Sequence, residues 1–212
     1  MTKSTLILVR HAATAVNALR PPRLQGQKQD NLLSEIGERQ SAALSRALQD
    51  YAISAVYSSP LQRARQTAQA IAQPRGLIIE SLDGMREIDI GLWEGKTWPE
   101  IEAGWPQEFA AFQADSSVQS YLGGETLAEL CDRTLKSLVA PALKHDNQVW
   151  VVVGHNVVNR TLLANWMKIP LRYGRQLPQS NAGFSIIHWK DANAKVACIN
   201  QSSHLSGLLE YE

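Results

Sequence analysis

Thr5-Leu6-Ile7-Leu8-Val9-Arg10-His11 is the stretch from which the fold is read. Its run of large apolar residues, Leu6 to Val9, reads as a strand buried on both faces, the pattern of a parallel sheet covered by helices on each side. A second run of the same kind, Val149-Trp150-Val151-Val152-Val153, leads into Gly154-His155-Asn156. In open α/β sheets ligands bind beyond the carboxyl ends of the strands, so both histidines are expected at that one edge. A guanidinium beside an imidazole suits an oxyanion: the first clamps it, and the second attacks or moves protons.

Between these runs the chain alternates strand and helix signals. Ser34 reads as the N-cap of an amphipathic helix extending to about Asp50. Ile53–Tyr57 reads as a strand, Ser59-Pro60 as the cap and first position of a helix stopped by Pro74, and Leu77–Glu80 as another strand. Residues 84–124 are punctuated by glycine and proline and carry Trp93, Trp98, Trp105, Phe109 and Phe112. This region reads as an insertion, or lid, over one end of the sheet. Thr126-Leu127-Ala128-Glu129 fits a capping box, and the helix it opens places Cys131 on its apolar face. Val157–Met167 reads as a further helix, and Phe184–Trp189 with Lys195–Ile199 as a hairpin around Asp191-Ala192-Asn193. The expected fold class is α/β: three layers, α/β/α, with a mostly parallel central sheet, in a single domain spanning 1–212.

With 21 Lys and Arg against 20 Asp and Glu, the net charge is +1, and no basic or acidic block stands out. Neither nucleic acid nor a membrane surface is therefore the expected partner. No run approaches the ~20 apolar residues of a membrane span. The 2 cysteines, Cys131 and Cys198, lack metal-ligand spacing. The expectation is a soluble cytoplasmic chain with no cofactor; no feature specifies an oligomer.

Arg63 lies just beyond a third strand end, where it serves either as a site residue or as an ordinary helix-surface cation. Asn156, next to His155, is positioned to orient the site. Among the acids of the insertion, Glu87, Glu94, Asp89 and Asp83 compete on position alone.

The motifs in order resolve part of this. Arg10-His11-x-x-Thr14-x-x-Asn17 resembles the RHG-x-[ST]-x-x-N signature of the histidine phosphatase superfamily, the phosphoglycerate mutase-like family. Leu24-Gln25-Gly26 before Asp30, Leu33-Ser34-Glu35-Ile36-Gly37 before Gln40, and Ser58-Ser59-Pro60-Leu61-Gln62-Arg63-Ala64 resemble its later segments. So do Arg86-Glu87-Ile88-Asp89 through Gly95, Gly123-Gly124-Glu125-Thr126, and the tail residues Asn200 and His204-Leu205. The resemblance implies a metal-independent phosphatase acting on a small phosphorylated metabolite. His11 would be the nucleophile that becomes phosphohistidine, and Glu87 the general acid and base. Arg10, Arg63 and His155 would surround the phosphoryl oxygens, Asn17 would donate to them, and Gln25 and Gly26 would face the substrate through side-chain amide and backbone N–H. It also implies candidate substrates such as phosphoserine, a ribazole phosphate, and sugar or sugar-acid phosphates.

The chain departs from the pattern at Ala12, Ala13 and Gly154-His155-Asn156. Position 13 is expected to border the pocket and shape its preference. Two other readings remain: a phosphoglycerate mutase, and a phospho-ligand-binding module without catalysis. Mutases of the family carry an arginine pair in the insertion, whereas Thr97–Glu125 here holds no Arg or Lys, which favours a phosphatase with an apolar mouth. A pure reader has no use for a nucleophile and an acid together.

Overall fold

The computed structural model describes residues 3–190 and 193–209. A six-stranded sheet runs through the centre, built from β1 (Lys3–Arg10), β2 (Ile53–Ser58), β3 (Ile79–Ser81), β4 (Val149–Gly154), β5 (Phe184–Lys190) and β6 (Asn193–Gln201). Their order across the sheet is β3-β2-β4-β1-β5-β6. The first four strands are parallel; β5 pairs antiparallel with β1, and β6 pairs antiparallel with β5. The mostly parallel sheet follows from the two continuous apolar runs, which occupy its middle as β1 and β4.

Side-chain alternation divides the core in two. Leu6, Leu8, Trp150 and Val152 face α5 (Leu127–Lys144) and α6 (Asn156–Trp166). Ile7, Val9, Val151 and Val153 face the other way, toward α1 (Glu35–Ala47) and α2 (Gln62–Ala72). The result is the three-layer α/β/α arrangement. Asp191 and Ala192 of the expected hairpin turn lie outside the described residues.

Residues 84–124 form short elements, with α3 (Trp98–Gly104) and α4 (Pro106–Ala114) at their centre. The buried Trp93 gathers Trp98, Phe112 and Tyr121 edge-on around it, so the aromatic residues of this stretch make one cluster joined to the α5/α6 core.

Two local expectations need correction. The helix after β2 starts at Gln62 with Leu61 as its N-cap, not at Pro60, although the Ser59 hydroxyl accepts from the Leu61 N–H at 3.3 Å while it also meets His155 Nε2. The helix ends at Ala72, just before Pro74 as expected, and a short tighter turn, Gln73–Arg75, leads to Gly76, left-handed at φ 64°. The next strand is Ile79–Ser81 rather than Leu77–Glu80, since pairing with β2 begins only at Ile79.

Candidate active site

The parallel register aligns the strand ends. Arg10 sits beside Gly154, and Ser58 beside Val153, which puts His11, Ser59 and His155 at one edge. The His11 amide donates to the Gly154 carbonyl at 3.0 Å, and Asn181 Nδ2 donates to the His11 carbonyl at 3.0 Å. The two imidazoles stand 5.1 Å apart, centroid to centroid, inclined at 60°. His11 Nδ1 lies 2.7 Å from the Ala12 carbonyl. A carbonyl only accepts, so Nδ1 carries the proton and Nε2 keeps its lone pair. Burial, with Arg63 and then Arg10 nearby, holds the His11 pKa well below the usual 6.5, which keeps the ring neutral.

His155 is fully buried, with Nε2 2.8 Å from Ser59 Oγ and Nδ1 without a partner among the described residues. Its pKa is also pushed well below 6.5, by burial first and then by Arg63, His11 and Arg10. Arg63, equally buried, donates from its terminal nitrogens to the carbonyls of Gln29 and Gly26, at 2.8 Å each. It is thus both a charge at the site and the brace of the 26–29 loop. Arg10 donates from NH1 to the Gln179 carbonyl. Neither Arg63 nor His155 contributes surface to the cavity described next; both stand behind its wall.

That cavity, about 580 Å³, is lined by Arg10, His11, Asn17, Gln25, Glu87 and Asn156 among others. Glu87 is 3% exposed, and its carboxylate meets the first turn of α6. Oε2 accepts from the Val157 N–H at 3.1 Å; Oε1 accepts from Ile88 at 2.9 Å and from Val158 at 3.3 Å. Burial pushes its pKa up, against the pull of these N–H groups and Arg63. Of the four competing acids, Glu87 is the one on the cavity wall. Asn17 Oδ1 accepts from Thr14 N and Oγ1 at 2.8 and 3.1 Å, which orients the amide and leaves Nδ2 for the cavity. Gln25 lines the cavity while its side chain bridges Thr14 and Asn31. Asn156 presents a buried Oδ1 with no partner among the described residues.

Two expectations fail here. Gly26 does not face the cavity: its N–H donates to Glu94 Oε1 at 2.8 Å, its carbonyl holds Arg63, and an added Cβ would lie 2.5 Å from Glu94 Oε2. Its part is to seat the loop. Ala13 is fully buried and stands off the wall, because α1 packs directly on its carbonyl; a Cβ on Gly37 would lie 2.0 Å from that oxygen. Position 13 therefore does not shape the pocket.

Several lining residues escaped the sequence reading. Arg20 and Arg23 reach the rim from the loop after β1, and Arg160 comes from α6, so the mouth is not simply apolar. Arg160 follows Asn156 by one helical turn on the same face, a signal the sequence did carry. Trp98 and Tyr121 come from the 84–124 region. Behind Glu87, Arg133 ties its own segment down. It donates to the carbonyls of Gly84, Arg86 and Glu87 at 2.7–3.0 Å and pairs with Glu125 at 2.6 and 2.8 Å. Gly124 permits that approach, as a Cβ there would lie 2.1 Å from the Asp89 carbonyl. Among the described residues no three His, Cys, Asp or Glu side chains gather as metal ligands would, and no helix is long and apolar enough to cross a membrane.

Comparison with known proteins agrees with this geometry. The profile of the histidine phosphatase superfamily (branch 1) matches residues 6–202. Phosphoserine phosphatase 1 of Hydrogenobacter thermophilus is 32% identical over 200 residues, covering 94% of this chain and 93% of that one. The metal-independent phosphoserine phosphatase of Arabidopsis thaliana is 32% identical over 209 residues, 96% of this chain and 84% of its own. The solved structure of Bacillus stearothermophilus YhfR superposes with a TM-score of 0.87 at 30% identity, covering 95% of this chain and 99% of that one. The chain belongs to branch 1 of the histidine phosphatase superfamily and is a phosphoric monoester hydrolase.

Proposed function

We propose that this hydrolase acts on a small phosphorylated metabolite without a metal, through a phosphohistidine on His11. The observation that carries the reading is the His11 tautomer: Nδ1–H is spent on the Ala12 carbonyl, so the Nε2 lone pair serves a cavity that also holds Glu87. His11 Nε2 attacks phosphorus as the ester P–O bond breaks, and Glu87 gives its proton to the departing oxygen. The ionised Glu87 then takes a proton from water, whose oxygen attacks the phosphohistidine. The P–N bond breaks, and inorganic phosphate and neutral His11 return. Arg10 and Asn17 on the wall meet the equatorial oxygens, and Arg63 and His155 support them from just behind it. Contacts that tighten as these oxygens flatten in the transition state raise the rate rather than binding alone.

The test is hydrolysis of p-nitrophenyl phosphate with EDTA present. Turnover persists in the chelator and falls to background in His11→Ala; survival in that variant, or loss with EDTA, overturns the mechanism. In Glu87→Gln, loss is about 10²–10⁴-fold on alkyl esters and far smaller on the nitrophenyl ester, whose leaving group needs no proton. Equal losses place the acid elsewhere.

A phosphoglycerate mutase is the second reading, and the placement of Arg20, Arg23 and Arg160 on the cavity wall favours it, although Arg23 is paired with Glu100 at 3.1 Å and would exchange that partner for a substrate carboxylate. Supplying 3-phosphoglycerate with 2,3-bisphosphoglycerate separates the two: the phosphatase releases inorganic phosphate, and the mutase forms 2-phosphoglycerate.

A further inference from the structure

The cavity does not end at the reacting groups. A second chamber of about 300 Å³ opens beside it, and Leu24, Trp98, Tyr121, Asn156, Val157 and Arg160 belong to the walls of both. These residues form a neck. Beyond it the chamber is bounded by Phe112 of α4, Leu127 at the start of α5, and Leu171. Its far side is bridged twice: Arg172 pairs with Asp115 at 3.2 Å, and Arg175 donates to Gln113 at 3.1 Å. The chamber is therefore a partly open space between α4 and the turn after α6, and these two outer guanidinium groups narrow its far side.

Size and chemistry together say what it takes. Each chamber by itself falls in the range that encloses a whole small ligand, about 300–1,000 Å³. A phosphoryl group with a short alcohol, such as serine, occupies only part of the first and does not reach the second. The second offers aromatic and aliphatic wall, with Trp98 stacked on Phe112 at 6.0 Å.

We propose that the second chamber is a leaving-group subsite. The substrate it selects is a phosphomonoester of an extended, ring-bearing alcohol. The phosphoryl group lies at His11 and the ring against Trp98, Phe112 and Leu171. This deepens the phosphatase reading above and rests on it.

Phosphonates, which keep the anionic head and resist hydrolysis, test the subsite by titration calorimetry. From methylphosphonate to 4-phenylbutylphosphonate the affinity rises at least about tenfold, as burial of the added apolar surface requires. Ser116→Trp, which puts an indole at the far end of the chamber, brings the phenylbutyl-to-methyl affinity ratio down toward one. Affinities within about twofold of each other in the wild-type chain overturn the subsite, and that comparison needs no variant to fold; a ratio that Ser116→Trp leaves unchanged overturns it too. Hydrolysis of the matching phosphate esters is followed in parallel. An affinity gain without hydrolysis overturns the phosphatase mechanism and leaves the subsite standing; hydrolysis without the gain does the reverse.

Discussion

The chemistry turns on two protons held in unusual places. His11 is kept neutral by burial and by Arg63 and Arg10, so its nucleophilic form persists to a pH below the ordinary histidine value of 6.5. Glu87 is kept protonated by burial to a pH above the ordinary carboxyl value of 4.5. The signs combine simply. With falling pH, kcat/KM drops as His11 takes a proton; with rising pH, it drops as Glu87 loses one. A bell on the acid side of neutrality is expected for an alkyl ester. On the nitrophenyl ester, whose leaving group needs no proton, the alkaline limb is absent already in the wild-type chain, and on the alkyl ester it vanishes in Glu87→Gln. A limb that remains there assigns the titration to another group. The residue scale was also where reading the sequence was least complete. Gly26 was expected to offer its N–H to substrate, but that N–H belongs to Glu94, a partner fixed only when the 26–29 loop folds against the 88–94 segment. Arg20 and Arg23 were visible as letters in a polar loop, and nothing in their spacing said that the loop curls over the cavity.

At the level of elements, β1 and β4 were legible because strands buried on both faces need continuous apolar runs. Their shared edge followed from parallel pairing alone. Short elements were less legible: β3 has a single hydrogen-bonded neighbour, and its start depends on where Gly76 releases the chain. The 84–124 region reads as irregular because much of its order comes from outside it. Arg133 of α5 supplies that order, holding Glu125 and the carbonyls on either side of the acid. Arg133→Met removes a planar fork that meets several acceptors at once, and Lys cannot reproduce that fork. The expected result is a kcat lower by about tenfold or more with KM little changed, not rescued by Arg133→Lys. Each lost charge-assisted bond costs about 1.5–3 kcal/mol, so melting falls as well. A fall in melting temperature with kcat intact reduces Arg133 to a structural brace.

For the whole molecule, a group of histidines buried near-neutral links stability to pH. His11, His155 and His204 all have pKa values lowered by burial. Below pH 6.5 the unfolded chain binds protons on these rings that the folded chain refuses, so their contribution is complete above 6.5 and shrinks as pH falls toward the lowered values. Glu87 works in the opposite sense, favouring the fold in acid until pH climbs through its raised value. Its share enters from the low end, leaving the histidines to govern the first steps below neutrality. Thermal melts from pH 7.5 down to 5.5 are expected to show a falling midpoint. Saturating orthovanadate should restore much of the loss, because an oxyanion beside His11 and His155 favours their charged forms and binds only the folded state. A midpoint that vanadate shifts equally at both pH values argues against this coupling.

The carboxylate of Glu87 does one thing more. By accepting from Val157 and Val158 it closes the amino end of α6, a task usually given to a neighbouring Ser or Asp. The catalytic proton and the fraying of a helix are thereby wired to the same two oxygens. Each time the acid reloads, a carboxylate cap becomes a carboxylic one, and the grip on the first turn slackens. Amide exchange at Val157 and Val158, faster in Glu87→Ala and faster as the acid protonates, would let the helix serve as a clock for the proton's whereabouts.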